Sequence, residues 1–220
     1  MSEKDFIEMN YQKPSEKELI ENSAKFFEQM ASRRSGREFS SEPVSIDVIF
    51  NICKAAVTSP SGGNRQPFFY CIVKDKSIKH KIRLSAEKEE KLNYEKRFTS
   101  EFLSAVGKFK TNYYKPFLDE APVLVAVFAE KYKKHEDKIE KNYFFTESTC
   151  ISIGVFITAV HSVGLVTLPY TPRPIKFLNE ILNISENLSP VMILPIGYPK
   201  EGLMIPNLRK KTFDELCKVF

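Results

Sequence analysis

The stretch Arg33-Arg34-Ser35-Gly36-Arg37-Glu38-Phe39, followed further along by Pro60-Ser61-Gly62-Gly63-Asn64-Arg65-Gln66-Pro67, contains the most informative pattern of this chain. Arginine side chains form paired, charge-assisted hydrogen bonds to phosphate. A Ser-Gly-Gly turn lets the backbone approach a flat ligand where a Cβ atom would clash. Together the two stretches indicate a site for a phosphorylated planar cofactor. An arginine cluster by itself is more often a solvated or nucleic-acid-facing patch, so other segments must decide.

Length and composition narrow the class of protein. The 220 residues are enough for one domain, and 42% hydrophobic and 12% aromatic content provide a sizeable core rather than a disordered chain. The net charge of +5 is spread over interleaved lysines and glutamates, which argues against nucleic-acid binding. The uncharged stretch 148–172 is too polar for a membrane span. We therefore expect no membrane partner, and a helix over about 143–163 buried in the core or at a subunit interface.

The cysteines and histidines have no metal-ligand spacing. No CxxC pair occurs, and none of the three histidines stands near a cysteine at ligand spacing, so no metal site is predicted. The cysteines at positions 53, 71, 150 and 217 lie in apolar runs, and no signal peptide precedes them. These features predict buried thiols in a cytoplasmic protein.

Caps, apolar spacing and breakers predict the order of elements. After an arm over 1–14, helices are expected at about 15–32, 45–57, from 77 onward, 143–163 and 175–182. The second helix has one predicted buried stripe, formed by Ile46, Ile49, Phe50, Cys53, Ala56 and Val57. Strands are expected at 68–73, 122–129, 165–168 and 191–196, with a charged loop over 130–141. Long helices between the strands, without strict alternation, predict an α+β sheet flanked by helices.

The order of these motifs resembles the FMN-dependent nitroreductase superfamily, from about Ser32 to the end of the chain. The shared pattern is the arginine run, the Pro-Ser-Gly loop before an aromatic strand, the uncharged helix ending in Gly-Leu-Val-Thr (164–167) and a strand closing in Leu-Pro-Ile-Gly-Tyr-Pro (194–199). The resemblance implies a single domain over 15–220 with a central, mixed, mostly antiparallel sheet. It also implies an intertwined homodimer, with the uncharged helix at its interface and an extension over about 200–220 reaching the partner subunit.

The resemblance implies FMN as cofactor and assigns its contacts. The cofactor-binding positions are Arg33, Arg34, Ser35, Arg37, Ser61, Gly62, Thr171 and Lys210. Thr171 is also the implied catalytic residue, because its hydroxyl would hydrogen-bond flavin N5 and favour one-electron steps; from the sequence alone it is equally a turn residue before Pro172. Two departures stand out: Phe68 replaces the family's tryptophan, and Lys210 replaces an arginine. Lysine keeps the charge but loses the fork, so Arg209 is the alternative phosphate ligand.

Within the superfamily the chain is most similar to the iodotyrosine deiodinase branch. That resemblance implies an active-site lid over about 87–115, in which Glu90, Tyr94 and Lys115 bind the zwitterion of a halotyrosine, while the Gly63 N–H holds its phenolate. Independently, Glu90 and Tyr94 at i, i+4 share one helical face. The segment is rich in charge and poor in apolar residues, so we expect it to be loose until ligand charges supply partners. The alternative is an ordinary solvated helix face.

The expected activity is FMN-dependent reductive dehalogenation of halotyrosines. The electrons would come from NAD(P)H, directly or through a reductase, and the absence of a GxGxxG motif argues against a stable nicotinamide site. One alternative is a broad-specificity nitroreductase or quinone reductase that accepts nitroaromatics without tyrosine selectivity. Another is a flavin-binding or redox-sensing module without enzymatic activity.

Overall fold

The computed structural model describes residues 6–109, 111–136 and 138–220, in two compact units divided between Arg33 and Arg34. The first unit contains helix α1 (Glu16–Ser32). It begins at a capping box: the Ser15 hydroxyl accepts from the Glu18 N–H, and the Glu18 carboxylate accepts from the Ser15 N–H at 2.8 Å. The predicted start of this helix is confirmed. The first five residues of the predicted arm lie outside the described residues, and its boundary at residue 14 stays a prediction.

The second unit holds all of the strands and the other helices. Its helices are α2 (Ile46–Val57), α3 (Lys76–Leu92), α4 (Ser100–Gly107), α5 (Phe117–Glu120), α6 (Phe145–Ser162) and α7 (Phe177–Ile181). Its strands are β1 (Phe68–Val73), β2 (Val123–Glu130), β3 (Tyr132–His135), β4 (Lys138–Lys141), β5 (Val166–Thr167) and β6 (Leu188–Gly197). Short 3₁₀ turns occupy Gly62–Asn64 and Phe213–Glu215, and a π-helical turn occupies Asn93–Arg97.

The main sheet has the strand order β1-β2-β6-β5, and all three pairings are antiparallel. A single parallel bridge joins Ser35 to Thr167 at the β5 edge. The sheet is therefore mixed and mostly antiparallel, as expected, and helices flank it.

Strand β2 is buried on both faces, which explains its unbroken apolar sequence. Alternate side chains point to opposite sides of a strand. Accordingly, Val123, Val125 and Val127 pack in one cluster with residues of α2 and α6, whereas Leu124, Ala126 and Phe128 pack in the other with residues of α3, α5 and α7. Each fully buried side chain of this kind contributes about 1.5–3 kcal/mol of hydrophobic free energy. The two clusters make the sheet a rigid support for the loops at its edges.

The segment 130–141 is not the loop that was expected. It forms the hairpin β3–β4, paired from Tyr132 with Lys141 to His135 with Lys138. The Asn187 amide also donates to the Tyr132 carbonyl at 2.9 Å, which ties the hairpin to the loop before β6. The strands were missed because their lysines and glutamates hide the alternation that marks a strand.

Several apolar or sulfur side chains expected inside lie at the surface of the chain. Phe50 and Val57 on α2 are exposed, and the buried stripe runs through Ile49, Ile52 and Ala56 instead. Cys150 and Cys217 are exposed as well, contrary to the prediction of buried thiols. Within the described residues, no helix combines the length and the apolar character needed to cross a bilayer.

Candidate functional site

Within the arginine run, Ser35 and Gly36 lie along the β5 edge of the sheet, and Gly36 is the residue that permits this. Its N–H donates to the Thr167 carbonyl at 3.3 Å. A Cβ atom at this position would stand 2.8 Å from Val166 Cγ2, closer than side chains tolerate. Glycine therefore lets the run approach β5, with Arg37 following directly.

Arg37 is a half-buried cation that lines a cleft large enough for a ligand. Its side chain is half-buried, and burial lowers the pKa of its guanidinium. Its Cζ atom lies 5.9 Å from the centroid of the Phe109 ring, but among the described residues it forms no ion pair with a carboxylate. A cleft of about 570 Å³ adjoins it, lined among others by Ser35, Thr111, Tyr114 and Met204. A desolvated cation beside a ligand-sized cleft is chemically suited to a phosphate group such as that of FMN.

The other predicted phosphate contacts are placed differently. Arg33 caps the C-terminus of α1, where its N–H donates to the Met30 carbonyl, and Arg34 opens the second unit. Near the C-terminus, Arg209 forms a two-pronged pair with Glu215 at 3.0 and 2.7 Å. Lys210 beside it is exposed, and which of the two would contact a phosphate stays a prediction.

The Ser-Gly-Gly loop is a closed turn anchored at the start of α6. Gly63 has a φ of +58°, the left-handed region that glycine adopts without strain. The Ser61 hydroxyl accepts from the Gln66 N–H at 2.9 Å, which closes the loop. The Gly62 N–H lies 3.4 Å from the Ser148 hydroxyl, and a Cβ atom on Gly62 would meet the Phe144 ring at 3.1 Å. The backbone at Gly63 therefore favours glycine, whereas a side chain at Gly62 would require a small shift of the Phe144 ring.

The structure brings Glu90, Tyr94 and Lys115 together. Glu90 lies on the buried face of α3, and Tyr94 follows in the π-helical turn, a feature frequent at functional sites. Lys115 Nζ lies 3.4 Å from Glu90 Oε2 and 5.6 Å from the centroid of the Tyr94 ring. It also donates to the Thr111 hydroxyl at 3.3 Å and to the Asn112 carbonyl. The end of α3 with its π-helical turn and the segment before α5 thus meet at one point, where Glu90 and Lys115 are buried and Tyr94 is half-buried.

The expectation that these charges lack partners without a ligand is wrong. Glu90 and Lys115 are buried and neutralise each other. Burial lowers the pKa of the Lys115 ammonium, and the negative charge of Glu90 opposes that shift. Removing one member of a buried ion pair typically costs about 3–5 kcal/mol. The pair therefore holds α3 against the segment before α5; whether the lid moves stays a prediction.

Sequence reasoning missed the network that supports Lys115. The Glu87 carboxylate accepts from the Lys115 backbone N–H at 2.8 Å and from Arg83 Nε at 2.7 Å. The guanidinium of Arg83 also donates to Asp119 Oδ2 at 2.9 Å. The spacing of Arg83 and Glu87 at i, i+4 could have revealed their pairing. The hydrogen bond from the Lys115 N–H to Glu87 is a tertiary contact, so it cannot be predicted from the spacing of residues in the sequence.

A second link joins the lid to the loop that carries Thr171. The buried Asn93 amide, at the start of the π-helical turn, donates to the Arg173 carbonyl at 2.7 Å. On the same loop, Tyr170 exchanges backbone hydrogen bonds of 3.0 and 2.8 Å with Ile193 of β6. Thr171 itself is exposed. The loop is therefore held between the sheet and the lid, with Thr171 at its surface.

The predicted site residues form two groups within one chain. Arg37 lines one cleft together with Thr111 and Tyr114 of the lid, and its positive charge contributes to lowering the pKa of the Lys115 ammonium, so Arg37 belongs with the lid. Among the described residues, no hydrogen bond, ion pair or ring contact joins loop 61–66 to Glu90, Tyr94 or Lys115. The second group lies instead against α6 and hairpin β3–β4, where Arg65 pairs with Glu140 at 2.5 Å.

Comparison with known proteins identifies the family. Residues 30–198 match the model of the nitroreductase family. The chain is 42% identical to the iodotyrosine deiodinase of Haliscomenobacter hydrossis over 204 residues, covering 92% of each protein. It is 37% identical to that of Nematostella vectensis over 205 residues, covering 92% of this chain and 78% of the relative.

A solved structure agrees with this assignment. A crystal structure of oxidised iodotyrosine deiodinase bound to FMN and 3-iodo-L-tyrosine superposes with a TM-score of 0.77 at 29% identity. The superposition covers 85% of this chain and 96% of the other. The fold, the motifs and these relatives agree: the chain belongs to the nitroreductase family, within its iodotyrosine deiodinase branch.

Proposed function

We propose that this protein is an FMN-dependent reductive dehalogenase of halotyrosines. The observation that carries the proposal is the group formed by the buried Glu90 and Lys115 and the half-buried Tyr94, linked through Asn93 to the loop that bears Thr171. An acid, a phenol and an amine at one point match the two charges of an α-amino acid. Related proteins named iodotyrosine deiodinases, 35–42% identical over most of the chain, support the same activity.

FMN fits the arginine run and the cleft. Arg37 supplies a half-buried positive charge for the phosphate, and Arg33, Arg34, Ser35 and Lys210 are proposed as further contacts. When bound and reduced, FMN supplies the two electrons that, with one proton, replace the carbon–halogen bond by a carbon–hydrogen bond and release the halide ion. The relative with a solved structure is bound to the same cofactor.

The lid would recognise the zwitterion by an exchange of partners. The ligand ammonium replaces Lys115 beside Glu90, while Lys115 and the Tyr94 hydroxyl turn to the ligand carboxylate. A ligand with both charges gives Glu90 and Lys115 a new partner each. A ligand without them would separate the two residues and leave both buried charges unpaired, which is costly. The lid therefore selects amino acids over simple halophenols.

Two further residues are assigned roles at the reacting ring. The exposed Gly63 N–H is proposed to donate to the halotyrosine phenolate, a role that requires no side chain. The Thr171 hydroxyl is proposed to donate to flavin N5 and so to hold the cofactor in the form that releases electrons singly. Ser61 and Gly62 would place the loop against the flavin.

We further propose a homodimer whose sites are each built from both chains. The separation of loop 61–66 from the lid within one chain supports this, as does the exposure of Phe50 on α2 and Ile151 on α6. Exchange of subunits tests it. If Gly63 and Glu90 of one site come from different chains, a mixed dimer of Gly63→Pro and Glu90→Gln subunits has one intact site. If they come from the same chain, both sites of the mixed dimer are defective and its activity stays at the level of the separate variants.

The physiological electron donor is proposed to be NAD(P)H, acting directly or through a reductase, in the cytoplasm. A direct reaction would appear as bleaching of the flavin by NADH or NADPH under anaerobic conditions. If neither bleaches it and a chemical reductant does, a separate reductase is required.

Titration of the purified flavoprotein with 3-iodo-L-tyrosine tests the main proposal. We expect saturable quenching of flavin fluorescence, and formation of tyrosine and iodide once the flavin is reduced. A protein that reduces nitroaromatics but neither binds nor deiodinates iodotyrosine would be a broad nitroreductase instead. A protein that takes up no FMN would exclude both.

A further inference from the structure

The hydroxyl of Tyr170 is buried without a hydrogen-bond partner. The residue is 7% exposed, and within the described part of the chain its Oη atom neither donates to nor accepts from any group. Buried polar groups are nearly always hydrogen-bonded, and an exception calls for an explanation. An explanation that fits an enzyme is a partner that arrives with the ligand.

Tyr170 cannot turn its hydroxyl towards solvent. Its backbone is fixed to Ile193 of β6 by two hydrogen bonds. Its ring meets the Phe117 ring edge-on, at a centroid distance of 5.4 Å and an interplanar angle of 88°. The side chain is therefore held in place by the sheet on one side and α5 on the other.

The groups around Tyr170 are those of the lid. Lys115 Nζ lies 5.8 Å from the centroid of the Tyr170 ring and 5.6 Å from that of Tyr94, so it stands beside both rings. Burial, and then the negative charges of Glu90 and Glu87, raise the pKa of the Tyr170 phenol. The phenol therefore keeps its proton and is available as a donor.

Of the two nearby carboxylates, Glu90 is the one whose partner a zwitterionic ligand would displace. Glu87 already receives hydrogen bonds from the Lys115 backbone and from Arg83. Glu90 faces Lys115 at 3.4 Å, a partner that a zwitterionic ligand would draw away towards its own carboxylate.

We propose that Tyr170 is a positioning residue for substrate recognition, whose hydroxyl donates to the Glu90 carboxylate when a zwitterionic ligand takes Lys115 from it. This inference rests on the proposed function. The hydrogen bond keeps the Glu90 carboxylate directed at the ligand ammonium. This hydrogen bond is absent from the ligand-free protein and present in the complex. Removing the Tyr170 hydroxyl should therefore stabilise the ligand-free protein and weaken binding of the ligand.

The substitution Tyr170→Phe in the FMN-loaded protein tests the inference. We expect it to weaken 3-iodo-L-tyrosine binding by about tenfold in calorimetry, the loss of one hydrogen bond to a charged group. Because it removes an unsatisfied buried hydroxyl, we expect it to raise the melting temperature of the ligand-free protein by about 2 °C or more. Tyr70→Phe is the matched control: the Tyr70 hydroxyl is 2.6 Å from the Ser152 hydroxyl, so its deletion lowers the melting temperature and leaves binding unchanged.

A double-mutant cycle tests the route through Glu90. In a Glu90→Gln background, Tyr170→Phe should change iodotyrosine affinity less than about twofold, because the charged acceptor is gone. Equal loss in both backgrounds would overturn the inference, as would unchanged affinity or a lowered melting temperature for Tyr170→Phe alone. If the parent protein fails to bind iodotyrosine, the proposed function falls and this inference with it. If the parent binds and Tyr170→Phe binds equally well, only this inference falls.

Discussion

The Lys115 ammonium lies 3.4 Å from the Glu90 carboxylate, with 5% and 9% of the two side chains exposed. A ligand that enters here must separate two buried charges, which is costly unless it brings a replacement for each. A free amino acid carries both replacements on a single carbon atom. In the proposed recognition the ion pair would therefore act as a selective barrier as well as a structural contact.

Glu90→Gln should weaken 3-iodo-L-tyrosine binding by at least about 1 kcal/mol and up to several, because the ligand ammonium loses its charged partner. Binding of 2-iodophenol, which has no zwitterion, should be weak in the parent and hardly change. Titrating both ligands against both proteins measures this. Glu89→Gln is the matched control. The Glu89 carboxylate pairs with the Arg97 guanidinium at 2.9 Å and not with Lys115. Unchanged iodotyrosine affinity in Glu90→Gln would remove the lid from the recognition mechanism.

Arg37→Ala should weaken FMN binding by about 1–3 kcal/mol, one charge-assisted phosphate contact. Equilibrium dialysis of the apoprotein against FMN gives the affinity. Arg97→Ala, which removes a guanidinium already paired with Glu89, should leave FMN affinity unchanged. Riboflavin, which lacks the phosphate, should bind parent and Arg37→Ala alike; if it distinguishes them, Arg37 acts on another part of the cofactor.

Glu87→Gln should lower iodotyrosine affinity severalfold without altering FMN affinity. The Glu87 carboxylate holds the Lys115 backbone and Arg83, and hydrogen bonds to a charged group are worth about 1.5–3 kcal/mol each. Glu95→Gln is the control, because the exposed Glu95 carboxylate forms a loose ion pair with Lys91, at 3.9 Å. Calorimetry on both variants decides; a loss of FMN as well would indicate general unfolding rather than misplacement of Lys115.

Thr171→Ala should slow dehalogenation while two-electron reduction of nitroaromatics survives, because only the first reaction is expected to need a donor at flavin N5. Thr171→Ser, which keeps a hydroxyl, should restore much of the dehalogenation. Comparing turnover of iodotyrosine and of a nitroaromatic in the three proteins tests this. Equal loss of both activities in Thr171→Ala would make Thr171 a turn residue only.

Alkaline pH should destabilise the protein partly through Tyr70. Burial raises the pKa of its phenol to about 12, whereas an unfolded tyrosine titrates near 10. Between these values the unfolded chain binds fewer protons, so the free energy of unfolding falls as pH rises, and the stabilisation is fully present below about pH 10. Urea unfolding of the parent and of Tyr70→Phe from pH 8 to 11 measures it. The variant should show the shallower decline; identical slopes would mean that the phenol is solvated.

The sequence predicted the elements of the core better than the contacts of the site. Capping at Ser15, the strand at 68–73 and the turn at Gly164 depend on local chemistry, and the structure agrees with them. Hairpin β3–β4 was missed because its strands carry no apolar alternation. Glu90 and Lys115 could be named from a family pattern, but not their pairing, which depends on how α3 meets the segment before α5.

The same limit applies to Tyr170. From sequence it reads as an aromatic residue between two prolines, and nothing local indicates an unpaired hydroxyl. The feature appears only when β6, α5 and the lid are packed around it.

The buried face of α3 contains Ile82 and Ala86 in its middle and Glu90 near its end, so one helical stripe changes from core packing to the proposed ligand contact within about one turn. A change of volume beneath Ile82 would shift the helix and move the Glu90 carboxylate with it. If Glu90 binds the ligand as proposed, preference among amino-acid substrates would therefore change through mutations in the protein interior, with every residue that touches the ligand unchanged. Directed evolution of this scaffold should look for new specificities there as well as in the cleft.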